Sequence, residues 1–131
     1  MIDAADRILL HELAALYGDL IDSRDWPGLD QVFATDVVWE SPYQPDRPLR
    51  GLEAVQKYMN RPGHPLAHHI TNIRVVDDND EVRMHSRVIL VFDGGLTASG
   101  EYHDIVERTP SGWRICHRVF IFRTRPESDV S

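Results

Sequence analysis

Cysteine occurs once in the 131 residues, at Cys116. A lone thiol excludes an internal disulfide, a thiolate metal cage and dithiol redox chemistry. Long apolar runs are missing as well: none approaches the roughly 18 residues that a membrane span needs. Residues Met1-Ile2-Asp3-Ala4-Ala5-Asp6-Arg7 carry acids where a signal peptide would carry lysines, and no apolar stretch follows before charge resumes, so a cytoplasmic location is expected. Excess positive charge is absent, and the formal net charge of −7 argues against a surface that displaces counterions from nucleic-acid phosphates. Arg118, Arg123 and Arg125 do cluster, but without interleaved aromatics they read as a strand edge and tail. Gly94-Gly95 reads as a hairpin turn, since no helix follows to cradle a phosphate. His64, His85, His103 and His117 do not fall at metal-ligand spacings, so neither metal nor cofactor is expected.

What is present fits one domain with a real core. Leu9, Leu13, Leu16 and Leu20, widened by Leu10, Tyr17 and Ile21, predict an amphipathic helix over 6–21. Asp25-Trp26-Pro27 predicts the start of a second, short helix with Asp25 as its cap. Val37 to Glu40 has strand composition, Pro42 to Pro48 ends it, and Leu52 to Met59 reads as a third helix. Four strand-like segments follow, over 66–76, 81–92, 96–108 and 113–123, separated by turn-forming residues. Helices first and a meander after predict an α+β fold over residues 1–125, with 126–131 as a loose tail.

A ligand would sit between the helices and the sheet. Period-two alternation over the first meander strand sets His68, Ile70, Asn72 and Arg74 on one face and His69, Thr71, Ile73 and Val75 on the other. One of the adjacent histidines then faces the cavity, and histidine is the side chain best poised for proton transfer near neutrality. Asp22 stands at the C-terminal end of the first helix, where the helix dipole disfavours a carboxylate, so either a solvated turn or a hydrogen bond to a histidine accounts for it. Tyr17 fits a core aromatic or a donor to a substrate oxygen. Trp26, Trp39, Tyr43, Tyr58, Met59 and Phe92 fit either plain core or an apolar pocket wall, and as a group they suit a hydrophobic ligand.

The order and spacing of Leu16-Tyr17, Ile21-Asp22-Ser23-Arg24-Asp25-Trp26, Phe33-Ala34-Thr35-Asp36-Val37, His68-His69-Ile70-Thr71-Asn72, Gly100-Glu101-Tyr102-His103-Asp104 and Gly112-Trp113-Arg114-Ile115-Cys116-His117-Arg118 resemble the SnoaL-like branch of the nuclear transport factor 2-like superfamily. The resemblance, to scytalone dehydratase, bile-acid dehydratase and hexachlorocyclohexane dehydrochlorinase in particular, covers nearly the whole chain. It implies a cone-shaped barrel of a curved, mixed, mainly antiparallel sheet wrapped by three N-terminal helices. It further implies a cofactor-independent lyase or isomerase acting on a small hydrophobic cyclic or polyketide-like molecule. A polyketide cyclase, or a non-catalytic small-molecule-binding module, are the alternatives.

By the same resemblance His68 is the general base, polarised by Asp22, and Tyr17 bonds the substrate oxygen. Arg118 matches a pocket arginine that binds an anion or oxyanion, and Asp104 matches an oxyanion-hole acid or an arginine's structural partner. Asn72, on the predicted face of His68, is expected to contact substrate, with Trp39 and Phe92 on the apolar wall. The ketosteroid isomerase aspartate falls at Ser41, so that isomerisation is not copied directly. Scytalone dehydratase's second histidine falls near Phe92, so its two-histidine chemistry is not carried over either. A homo-oligomer, dimer or trimer, is expected through an outer face bearing His69, Ile73 and Val75.

Overall fold

The computed structural model describes residues 2–43 and 48–125, so the tail expected over 126–131 lies outside the described residues. The first helix, α1 (Ala4–Asp22), starts where the Asp3 carboxylate accepts from the Asp6 N–H at 2.9 Å and the Asp6 carboxylate accepts from the Asp3 N–H at 3.2 Å. This reciprocal cap satisfies two of the donors a helix start leaves unpaired. Its buried apolar seam runs through Leu10, Leu13, Ala14, Tyr17, Gly18, Leu20 and Ile21. The apolar stripe is therefore rotated away from Leu9, which is 54% exposed, while Leu16 stays partly buried against the core.

Gly18 explains the rotation. A β-carbon there would lie 3.1 Å from the His68 carbonyl oxygen and 3.3 Å from an Ile70 methylene carbon. Only a glycine lets the helix backbone press so closely on the strand. Asp22 lies one turn further along, on the same helix face, and the close approach at Gly18 carries it to His68.

Asp25-Trp26-Pro27 opens a 3-10 turn (Pro27–Gln31) rather than an α-helix, and its cap is Trp26 rather than the expected Asp25, whose carboxylate, one residue earlier, accepts from the Gly28 N–H at 3.0 Å. There follow β1 (Phe33–Glu40), β2 (Leu49–Arg50), α2 (Leu52–Met59), β3 (Ala67–Asp77), β4 (Val82–Val91), β5 (Thr97–Thr109) and β6 (Gly112–Thr124). The described strands form one mixed sheet in the order β2-β1-β6-β5-β4-β3, in which β1 and β6 run parallel and the other described neighbours antiparallel. It is open, with β2 and β3 at the edges, so the expected barrel does not close. Two α-helices and one 3-10 turn stand where three helices were expected. None of the described helices is long and apolar enough to cross a membrane.

Inward positions alternate as a half-buried sheet requires: Met84, Val88 and Leu90 on β4, Tyr102 and Val106 on β5, Trp113 and Ile115 on β6. On β3 the alternation breaks. The register against β4 shifts between Thr71 and Arg74, and Asn72 takes φ +52°, left-handed backbone that asparagine tolerates better than most residues. The bulge reverses the phase, so His68 and Ile70 face inward before it, and Ile73 and Val75 pack on the core after it. Of the outer face assigned from sequence, His69 keeps its place while Ile73 and Val75 do not.

Candidate active site

Asp22 and His68 meet at the seam between α1 and β3. One Asp22 oxygen lies 2.8 Å from His68 Nδ1, and the other accepts from the His68 backbone N–H at 3.1 Å. A carboxylate can only accept, so the ring proton sits on Nδ1 and Nε2 carries a bare lone pair. Burial lowers the pKa of His68, and the hydrogen bond and charge of Asp22 pull it back up. The outcome is an imidazole kept neutral near pH 7 with its basic nitrogen oriented.

His68 lines a cavity of about 50 Å³ together with Tyr17, Trp39, Tyr58, Leu90, Tyr102 and Phe120, and with Arg61 and His64. The space holds a few water-sized groups, on the order of 10–15 Å³ each, which suits a small ligand. Tyr17 and Tyr102 place their hydroxyl oxygens 3.2 Å apart. Two hydroxyls joined by one hydrogen bond leave one O–H free for a ligand. Burial raises both tyrosine pKa values, so both stay protonated donors.

Behind the tyrosines lies Arg118, whose guanidinium carbon is 3.8 Å from the Tyr102 ring centre and 4.3 Å from that of Tyr17. Its Nε and Nη2 donate to the two oxygens of Asp104 at 2.7 and 2.8 Å, a bidentate pair with both side chains sealed from solvent. Burial opposes charge on Arg118, but the Asp104 carboxylate outweighs it and holds the guanidinium protonated. Arg118 Nη1 and Trp39 Nε1 are buried donors with no acceptor among the described residues.

The structure thus brings together Asp22, His68, Tyr17 and Trp39, with Arg118 and Asp104 one layer deeper. Asn72 and Phe92 are not at the cavity. The bulge turns Asn72 out to solvent, where its side chain accepts from the Thr71 hydroxyl. β4 ends at Val91, so Phe92 enters a turn and Leu90 takes the wall position. His103, one residue from Asp104, points to the outer face and bonds Glu101 at 3.0 Å, as alternation requires. Among the described residues no group of three or more histidine, cysteine, aspartate and glutamate side chains is placed to hold a metal ion.

Sequence reasoning missed Tyr102, Arg61 and His64. Alternation back from Asp104 reaches Tyr102; His64 and Arg61 sit in a loop whose path no periodicity reports.

Residues 3–119 match the family model described as the SnoaL-like domain. The chain belongs to the SnoaL-like family. An uncharacterized protein of Mycobacterium tuberculosis strain H37Rv is 32% identical over 132 aligned residues, covering 89% of this chain and 85% of that one. Solved structures show the same fold at lower identity. A Novosphingobium aromaticivorans protein provisionally named an aromatic ring hydroxylase has a TM-score of 0.79 at 24% identity, covering 97% and 95% of the two chains. One from the same organism, provisionally named a scytalone dehydratase, has 0.77 at 17%, covering 93% and 89%. LinA has 0.77 at 19%, covering 91% and 86%. The SnoaL-like chain thus shares its fold with LinA and with the protein provisionally named a scytalone dehydratase.

Proposed function

We propose that this SnoaL-like protein is a cofactor-independent lyase or isomerase that takes a proton from carbon next to a carbonyl in a small, largely apolar cyclic molecule. The observation that carries the reading is the 2.8 Å contact between His68 Nδ1 and Asp22, which leaves Nε2 as an oriented base in an aromatic cavity. His68 Nε2 accepts the proton from the α-carbon, and Asp22 stabilises the imidazolium that forms. Charge moves onto the carbonyl oxygen, where the free O–H of the Tyr17–Tyr102 pair donates to it. If a hydroxyl stands on the β-carbon, the C–O bond breaks, the double bond forms, and the leaving oxygen recovers the proton from His68 as water. The base is regenerated and nothing is oxidised or reduced.

Small cyclic β-hydroxy ketones test this directly, beginning with 3-hydroxycyclohexanone and its two-ring analogues, with enone absorbance as the readout. Wild-type turnover that His68→Ala and Asp22→Asn each lower by at least about a thousandfold is the expected result. Full activity in either variant would contradict the mechanism.

A further inference from the structure

His64 stacks on His68 with ring centres 5.0 Å apart and planes 29° from parallel. It is 9% exposed, and its Nδ1 lies 2.9 Å from Arg24 Nη1. A guanidinium only donates, so Nδ1 must be the lone pair and Nε2 must carry the proton. This is the reverse of His68, whose Nδ1 faces an acceptor. Neither Nε2 makes a hydrogen bond to a described residue, and neither is among the fully buried unpaired nitrogens, so both remain reachable from the cavity they line. Two stacked imidazoles thus offer one cavity a lone pair and an N–H.

Arg24 holds this arrangement at a conformational cost. It occupies the left-handed position just after α1, with φ +58°, where glycine is the usual residue. Its guanidinium also donates to the Pro65 carbonyl at 3.1 Å, tying the helix end to the loop that carries His64. Burial, then the charges of His68, Arg61 and Arg24 that face the ring, push the His64 pKa down to about 3. No carboxylate is hydrogen-bonded to it, so the ring stays neutral where His68 works.

We propose that His64 is a neutral N–H donor to the substrate oxygen that gains charge as His68 removes the proton, and that Arg24 is the positioning residue that fixes its tautomer. This rests on the reading of His68 as base, and it sets the substrate class: the oxygen acted on lies within reach of a second donor beside the base, as in a β-hydroxy ketone. A protonated histidine could not serve unchanged, because it would repel charge build-up on His68; a neutral imidazole held as a donor polarises oxygen without that penalty.

Nitrogen-15 spectra of the histidine-labelled protein test the tautomers without any substrate. Expected from pH 8 to 5 is His64 protonated only on Nε2 and His68 protonated on Nδ1. Arg24→Gly, which relieves the backbone and should fold, mixes the His64 tautomers, while Arg24→Lys restores the wild-type pattern. On the β-hydroxy ketone turned over, His64→Phe lowers kcat roughly a hundredfold with little change in KM, and His64→Gln, which keeps an N–H near that place, recovers at least about a tenth of the activity. A His64 signal from Nδ1–H in the wild type, or His64→Phe with wild-type kcat, overturns the proposal. If His68→Ala is fully active, the base reading fails instead; if only His64→Phe is, the donor alone fails.

Discussion

The two polar ends of the cavity are built on opposite principles. At the α1–β3 seam, Asp22 keeps 31% of its side chain exposed against a histidine whose pKa burial lowers and the Asp22 carboxylate raises. Behind the tyrosines, Asp104 and Arg118 are 0% and 1% exposed, and the guanidinium does not titrate in any working range. The open end can gain and lose a proton at little cost in structure. The sealed end offers fixed charge and holds Tyr17 and Tyr102 in place. On the proposed function, proton transfer belongs to one end, and stability with electrostatic background to the other.

The widest separation is between Arg118→Met and Asp22→Asn. Removing one partner of a sealed pair leaves the other charge uncompensated, so Arg118→Met should cost about 3–5 kcal/mol of stability in chemical denaturation. Asp22→Asn should cost about 1 kcal/mol or less, being partly solvated, while removing most activity. Equal stability losses would erase the distinction.

Acid should act at the open end first. His64 in the folded chain titrates at about 3, against an ordinary 6.5. Unfolding therefore takes up a proton there at any pH between these values, and the depressed pKa makes stability fall as pH drops through that window. The slope is at most about 1.4 kcal/mol per pH unit, and His64→Gln should flatten it. His68 is lowered too, by burial, and adds in the same direction. Denaturation midpoints measured from pH 7 to 4 check the slope.

Smaller effects map the approach between helix and strand. Gly18→Ala gains about 1 kcal/mol of helix propensity but pushes a methyl against the His68 carbonyl, so melting should change little while kcat falls about tenfold through a longer Asp22–His68 contact. Asn72→Gly, at the bulge on the far side of β3, should leave kcat unchanged and shift stability by about 0.5 kcal/mol or less. A large loss of turnover there would return Asn72 to the site.

Much of this was legible in the sequence where pattern and chemistry coincide. The meander was legible from turn residues, α2 from Leu52 to Met59, and the Asp22–His68 pairing from alternation joined to family resemblance. The reversal at Asn72 was not, because a bulge depends on one residue's tolerance of positive φ and leaves no trace in apolar spacing. The rotation of α1 was hidden because Leu9 and Leu10 are both apolar, and Gly18, which decides between them, contributes nothing to a hydrophobic stripe. His64 escaped because Arg24 reaches it across 40 residues of chain.

The most direct test of the account follows carbon-bound protons of 3-hydroxycyclohexanone in deuterated water by NMR. The wild-type protein should exchange or eliminate at the α-carbon, and His68→Ala and Asp22→Asn should abolish both, while Asn72→Gly behaves as wild type. Exchange at the wild-type rate in His68→Ala would contradict the assignment of His68 as the base.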